Sequence, residues 1–485
     1  MKPTPLEKQI KQSGQAYFDK QTAHLKFQGV LPQRQPWWIK LALWGTPTAA
    51  IATTVTVLVA VLIGATDPNG SFPQTFRSLQ ALNQVSFPSF DQRDQAEDFL
   101  DGQPRYETYR TQVNQYFART APDLFSTGEN LAYSPLSAFM ALTLLLEAAD
   151  GQTRDDLASL LAVEDMDLLR EETTQLFIDT YLESKVSIDQ QETLVARSLL
   201  GNGVFVRDDI DVNPTYLHRL ASDYFAEVFH SDFLPASLQD MVAWLNQKTF
   251  NFLDMKPTDL ALNQETAIAL FNTLYLKANW RDPFDIFPAQ DQFFDSATST
   301  TISGVNYLQK ETRSTLYLDQ PGFTLGVDHA YGDHRIVYVL PKGHLTPTDL
   351  LSETYLPSIQ AAFTSTTANE RILLTIPESS TQGKLDLKSN LLAVYPAISS
   401  LFDPQEADLS KALPGGYVQS LVQHIRVDLL KDGMEAAAIT EANVGVTSMP
   451  TPPRVSLNLN RSFLYFVVNH QGLLMFSGVV HQPTT

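Results

Sequence analysis

Apolar residues recur at several distinct periods along this chain, and those periods divide it. Residues 41–64 (LALWGTPTAAIATTVTVLVAVLIG) carry no charge and are long enough for a bilayer core, which takes about 20 residues. Trp37, Trp38 and Trp44 lie toward the N-terminal side, where an interfacial aromatic belt would sit. The pattern predicts one transmembrane helix over residues 41–64. A buried core helix and a cleaved signal peptide compete with it, but the charged region before the span is long for a signal peptide. No convincing small-x-small cleavage site precedes Asp67. Residues 65–104 are rich in Pro, Gly, Ser, Gln and Asp and predict a flexible stalk with little regular structure. From 105 to 485 helical and strand periods mix. YETYRTQVNQYFARTA, from Tyr106, has the helical period; RSFLYFVVN and LLMFSGVVH read as strands joined at His470-Gln471-Gly472. No linker interrupts this stretch, which predicts one large mixed α/β domain.

Charge gives the chain a direction. Up to Lys40 there are seven Lys or Arg against two acids, while the whole chain has 34 Lys and Arg against 54 Asp and Glu, a net charge of −20. The positive-inside bias places residues 1–40 in the cytoplasm as a basic tail and the chain after the span outside it. So acidic a surface repels phosphate backbones, and no nucleic-acid partner is expected. The sequence has no cysteine, which excludes disulfides, thiolate metal sites and a cysteine nucleophile. HExxH, GxSxG and Walker-type spacings are missing, and Gly201-Asn202-Gly203 lacks the third glycine of a dinucleotide loop. Neither an enzyme nor a metal or cofactor site is expected.

One segment is patterned for a sheet and composed like a loop. From Gly433 the even positions are Met434, Ala436, Ala438, Thr440, Ala442, Val444 and Val446; the odd ones include Glu435, Glu441 and Asn443. One face is small or apolar throughout and the other carries the charges and the amide, as in a half-buried strand. Yet the alanines, Gly445 and the PTPPR tail give poor strand propensity. An alanine-rich helix or a linker fits as well, and a strand inserted only on demand suits both features.

A collinear set of short segments then resembles the serpin family over most of residues 105–485. Asn130-Leu131-Ala132-Tyr133-Ser134-Pro135-Leu136-Ser137 with ALTLLLEAADGQTRDDL is similar to the family's opening strand, buried helix and following turn. Asn202-Gly203-Val204-Phe205-Val206, YFAEVFHSDF, FNTLYLKANW ending at Trp280 and Leu401-Phe402 follow in order. GMEAAAIT from Gly433 and the two C-terminal strands complete the match. The resemblance implies a serpin fold: mixed α+β, with three β-sheets, surrounding helices and an exposed reactive-centre loop. It implies a covalent complex with a target serine protease, formed by a monomer that acts once as a suicide substrate. The membrane anchor is foreign to the usual serpin and implies a prokaryotic one, acting outside the cytoplasm at the cell envelope.

Site residues follow from the same resemblance. The hinge is Gly433, Met434, Glu435, Ala436, Ala437 and Ala438. Counting from Gly433 puts the reactive bond at Thr447-Ser448, and counting back from Arg454-Val455 puts it at Ser448-Met449. Val446, Thr447 and Ser448 offer no basic side chain, which fits an elastase- or subtilisin-like pocket. Ser134, Ser137, Asn272 and His424 match the shutter beneath the opening sheet, and Trp280 the breach where the loop enters. Lys431 and Glu378 stand charge-swapped at two breach positions and predict a salt bridge. Met434 replaces the usual Thr or Ser, which favours the alternative, a non-inhibitory serpin acting as a binding or chaperone module.

Overall fold

The computed structural model describes residues 76–83, 85, 106–188, 191–260, 262–287, 292–365, 370–434 and 454–483. The described residues fall in two compact units, one within residues 1–91 and 202–270, the other within residues 92–201 and 271–485. The tail (1–40), the span (41–64), most of the stalk and the loop from Glu435 to Pro453 lie outside the described residues. Among the described residues no helix is long and apolar enough to cross a membrane.

In the first unit, β5 (Ala226–Ser231) runs parallel to the end of β4 (Gln191–Arg207), with Asn202 opposite Ala226 and Arg207 opposite Ser231. Parallel neighbours need a crossover, and here it contains a helix, Pro214–Asp223, that starts on an Asn213 cap with proline in its first turn. Gly203 is required by close packing: a Cβ there would lie 2.7 Å from the Trp244 ring. Part of the expected stalk is built into this unit. Gln80–Ala81 (β1) pairs antiparallel with β5. Beyond it the Asn83 side chain donates to Ala226 O at 2.9 Å and accepts from Val228 N at 2.8 Å. An asparagine amide thus takes the place of ladder bonds, and polar composition hides an edge strand held by backbone complementarity.

In the second unit, helix α1 (Glu107–Leu124) turns Tyr109, Val113, Tyr116, Phe117 and Ala121 inward, a single stripe at helical spacing. Helix α2 (Pro135–Ala148) is apolar on every side and almost wholly buried, as its sequence predicts. A six-stranded sheet lies in the core. Its order is β11 (Tyr317–Asp319), β12 (Phe323–His329), β13 (Arg335–Pro341), β19 (Phe463–Val468), β20 (Leu474–Val480) and β2 (Leu131–Tyr133). Strands β19 and β20 are buried at every residue, which is what unbroken apolar runs signify. A four-stranded sheet joins β18 (Arg454–Asn458), β14 (Glu370–Pro377), β10 (Tyr307–Thr315) and β7 (Asp285–Ile286). A third sheet places β3 (Leu182–Ile188) on β4, then β6 (Ile268–Asn279), β17 (Gly433–Met434), β16 (Val422–Leu429) and β15 (Ser379–Asp386). A two-stranded ribbon, β8 (Gln292–Asp295) with β9 (Thr300–Ser303), adds to the three sheets expected.

Candidate functional site

Strand β17 is only two residues long and sits between two long neighbours. Met434 pairs with Leu429 of β16 on one side and Ala278 of β6 on the other, and Gly433 faces Asn279. Glycine is obligatory here, because a Cβ on residue 433 would lie 2.5 Å from Ala278 O and 2.7 Å from the Asn279 Cα. The Met434 side chain is only 3% exposed, so its thioether chain is accommodated in the core rather than excluded.

The turn before β17 is held by the end of β6. Leu430 N donates to Gly433 O at 3.0 Å, closing the turn. Trp280 donates its ring Nε1 to Leu430 O at 2.9 Å and its backbone N to Asp432 O at 3.1 Å; Phe284 N donates to Lys431 O at 3.3 Å. Trp280 is buried core and at the same time the clamp on this turn. Glu378 and Lys431 approach the same place: Glu378 precedes Ser379, which pairs with Leu429. No ion pair joins Lys431 to Glu378 among the described residues, so the charge-swapped bridge is absent from this structure. The ion pair at the breach is a different one, Lys310 with Asp328, which sequence reading missed because the partners lie on strands of different sheets.

The residues expected to form the shutter occupy the start of α2 and the two strands flanking β17. Ser134 caps α2: its Oγ accepts from Ser137 N at 3.2 Å and donates to Met475 O at 2.7 Å. Asn272 sits on β6 and His424 on β16, opposite Lys384. The residue that ties Ser134 to β16 is Gln423, beside His424. Its Oε1 accepts from Ser134 N and its Nε2 donates to Ser134 O, both at 2.9 Å, with the side chain buried. Both backbone groups of the cap are thus satisfied by one amide on a strand that borders the entry point. A glutamine beside a recognised histidine gave no sequence signal.

Beyond Met434 the residues expected to act, Glu435, Ala436, Ala437, Ala438, Thr447 and Ser448, lie outside the described residues. The chain resumes in another sheet, where Arg454 to Asn458 run parallel to Arg371 to Thr375. Residues 435–453 therefore connect two sheets.

Two histidines, His481 buried and His329 half-buried, set a pH limit. Burial holds His329 and His481 below the usual imidazole value, and His481 Nδ1 meets Ser462 Oγ at 3.0 Å. Each is neutral in the fold at a pH where the unfolded chain takes up a proton, so their stabilisation is complete above about pH 6.5 and is lost as pH falls below it. Melting curves of wild type and His481→Gln at pH 7.5 and 5.5 test this. The acid-induced drop should shrink in the variant; an equal drop in both contradicts it.

Comparison with known proteins supports one family throughout. A family model described as serpin (serine protease inhibitor) matches residues 114–483. Iripin-5 of Ixodes ricinus is 26% identical over 398 residues, covering 78% of this chain and 95% of the relative. Among solved structures, the native state of the thermophilic serpin tengpin superposes with a TM-score of 0.67 at 17% identity, covering 78% of this chain and 94% of that one. Human thyroxine-binding globulin gives 0.64 at 19% identity, covering 78% and 99%.

Proposed function

The chain belongs to the serpin family, and we propose on that footing that it inhibits serine proteases as a single-use suicide substrate. A protease cleaves the loop near Thr447-Ser448 and is held as an acyl-enzyme. The freed strand enters between β6 and β16 and carries the protease with it before hydrolysis completes. The observation that supports this reading is β17, which already fills the first two residues of that strand position, paired on both sides. Alternation continues from there. With Met434 facing the core, Ala436, Ala438, Thr440, Ala442, Val444 and Val446 follow it inward, while Glu435, Glu441 and Asn443 stay outside. Backbone pairing and burial of small side chains drive the insertion.

The target is an elastase- or subtilisin-like protease, since residues 446–448 present small, uncharged side chains. Residues 41–64 anchor the chain, with residues 105–485 outside the cytoplasm.

The alternative is a non-inhibitory serpin with a binding role, as the name of thyroxine-binding globulin states for that relative. Incubation with elastase or subtilisin and a denaturing gel separates the two readings. A covalent complex that survives SDS is expected; loop cleavage without a complex overturns the inhibitory reading.

A further inference from the structure

A cation is buried against the segment that holds the turn leading into the loop. Lys310, on β10, is paired to Asp328, on β12, at 2.7 Å, with side chains 3% and 1% exposed. Its ammonium also donates to Asp282 O at 2.6 Å and lies 5.0 Å from the Trp280 ring centroid and 4.3 Å from that of Phe284. These two rings meet edge to face at 5.8 Å. Asp328 in turn accepts from His329 N at 2.9 Å, Arg281 N donates to His329 O at 3.0 Å, and Trp280 bridges to Ala330.

One ammonium therefore contacts Trp280, Asp282 and Phe284 of the bracket Trp280–Phe284, and that bracket makes three hydrogen bonds to the carbonyls of Leu430, Lys431 and Asp432. Such a pair is costly to assemble. Burial pushes the Lys310 ammonium down and the Asp328 carboxyl up, and a buried ion pair is seldom favoured over well-packed apolar residues of the same volume. Fixing Trp280 and Phe284 through a cation under both rings is something an apolar pair could not do.

We propose that Lys310 is a positioning residue for loop insertion, fixing the pivot at Leu430–Asp432 so that the entering strand starts in register. Register is critical because side chains alternate with period two. A slip of one residue would turn Glu435 and Glu441 into the core and Ala436, Ala438 and Ala442 out to solvent. The bracket determines where residue 433 meets Asn279, and every later pairing follows from that contact.

This role rests on the inhibitory reading above, and one experiment separates their failures. Lys310→Met alone leaves a buried carboxylate without its partner and is expected to fold poorly. The working variant is Lys310→Met/Asp328→Asn, which removes both charges and keeps an acceptor for His329 N. Lys310→Arg keeps a cation under the rings. Each is mixed with elastase or subtilisin, and the moles of inhibitor consumed per mole of protease inactivated are measured beside the melting temperature. The double variant should melt close to wild type, yet consume about tenfold more inhibitor, because insertion slows relative to hydrolysis of the acyl-enzyme; Lys310→Arg should restore most of the loss. Unchanged consumption in the double variant, against a wild type that forms the covalent complex, overturns the role of Lys310 alone. A wild type that forms no complex overturns the inhibitory reading and this proposal with it.

Discussion

Replacing Ala436 by arginine is expected to convert the protein from an inhibitor into a substrate. Residue 436 is two beyond Met434, which is buried between β6 and β16, so its side chain enters the core as the strand advances. An unpaired guanidinium there loses its hydration and gains no partner, a cost of several kcal/mol. About 3 kcal/mol on the insertion barrier slows it roughly a hundredfold, and hydrolysis of the acyl-enzyme then wins. The loop should still be cut at the normal rate, while the covalent complex disappears from the gel. Ala437→Arg is the control. Its side chain falls on the outer face beside Glu435, and the complex should persist. Equal loss in both variants would show that the loop does not enter with the alternation set by Met434.

Replacing Gln423 by alanine should produce the largest loss of stability of any single polar substitution near the shutter. The amide pairs with both Ser134 N and Ser134 O inside the core; its removal strands the Ser134 N–H at about 1–3 kcal/mol, while Ser134 O keeps its bond from Ala138 N at 3.1 Å. Gln423→Met fills the space without either hydrogen bond, so it should fall between wild type and alanine. Denaturant titration of the three proteins checks the order. Because Gln423 ties α2 to the strand that precedes the loop, the alanine variant should also lose inhibitory activity faster on warm storage. An alanine variant as stable as wild type would mean that the amide–backbone pair carries no net weight.

The parts of this fold that were legible in the sequence share a physical basis. Strands β19 and β20 are almost wholly apolar and buried on both faces, and their joint at His470-Gln471-Gly472 is a turn with Gly472 at φ 78°. Helix α2 is apolar all round and begins at Ser134-Pro135, a cap followed by a first-turn proline. In each case the local pattern and the tertiary environment agree. The parts that were not legible depend on partners distant in sequence. Gln80 and Ala81 carry no strand signature of their own and are ordered by the exposed edge of β5. Lys310 and Asp328 would each read as a solvent-facing charge, and only the meeting of two sheets beneath Trp280 buries them together. The expected Lys431–Glu378 bridge shows the opposite case. Family resemblance brought the correct segments together, but the structure satisfies the turn with backbone bonds from Trp280 and Phe284 instead. The resemblance led to the expectation that Gly433 and Met434 begin the hinge; that they form a paired strand could be seen only in three dimensions.

The account depends on the intact protein being held short of its lowest free energy by an uncut loop. The most direct measurement is the melting temperature of the full chain before and after a single cut within residues 435–453, by a protease that is not itself trapped. Insertion of the released strand between β6 and β16 predicts a rise of more than about 10 °C, since even a few kcal/mol shifts the midpoint by several degrees. A cut protein that melts at or below the temperature of the intact one would contradict it.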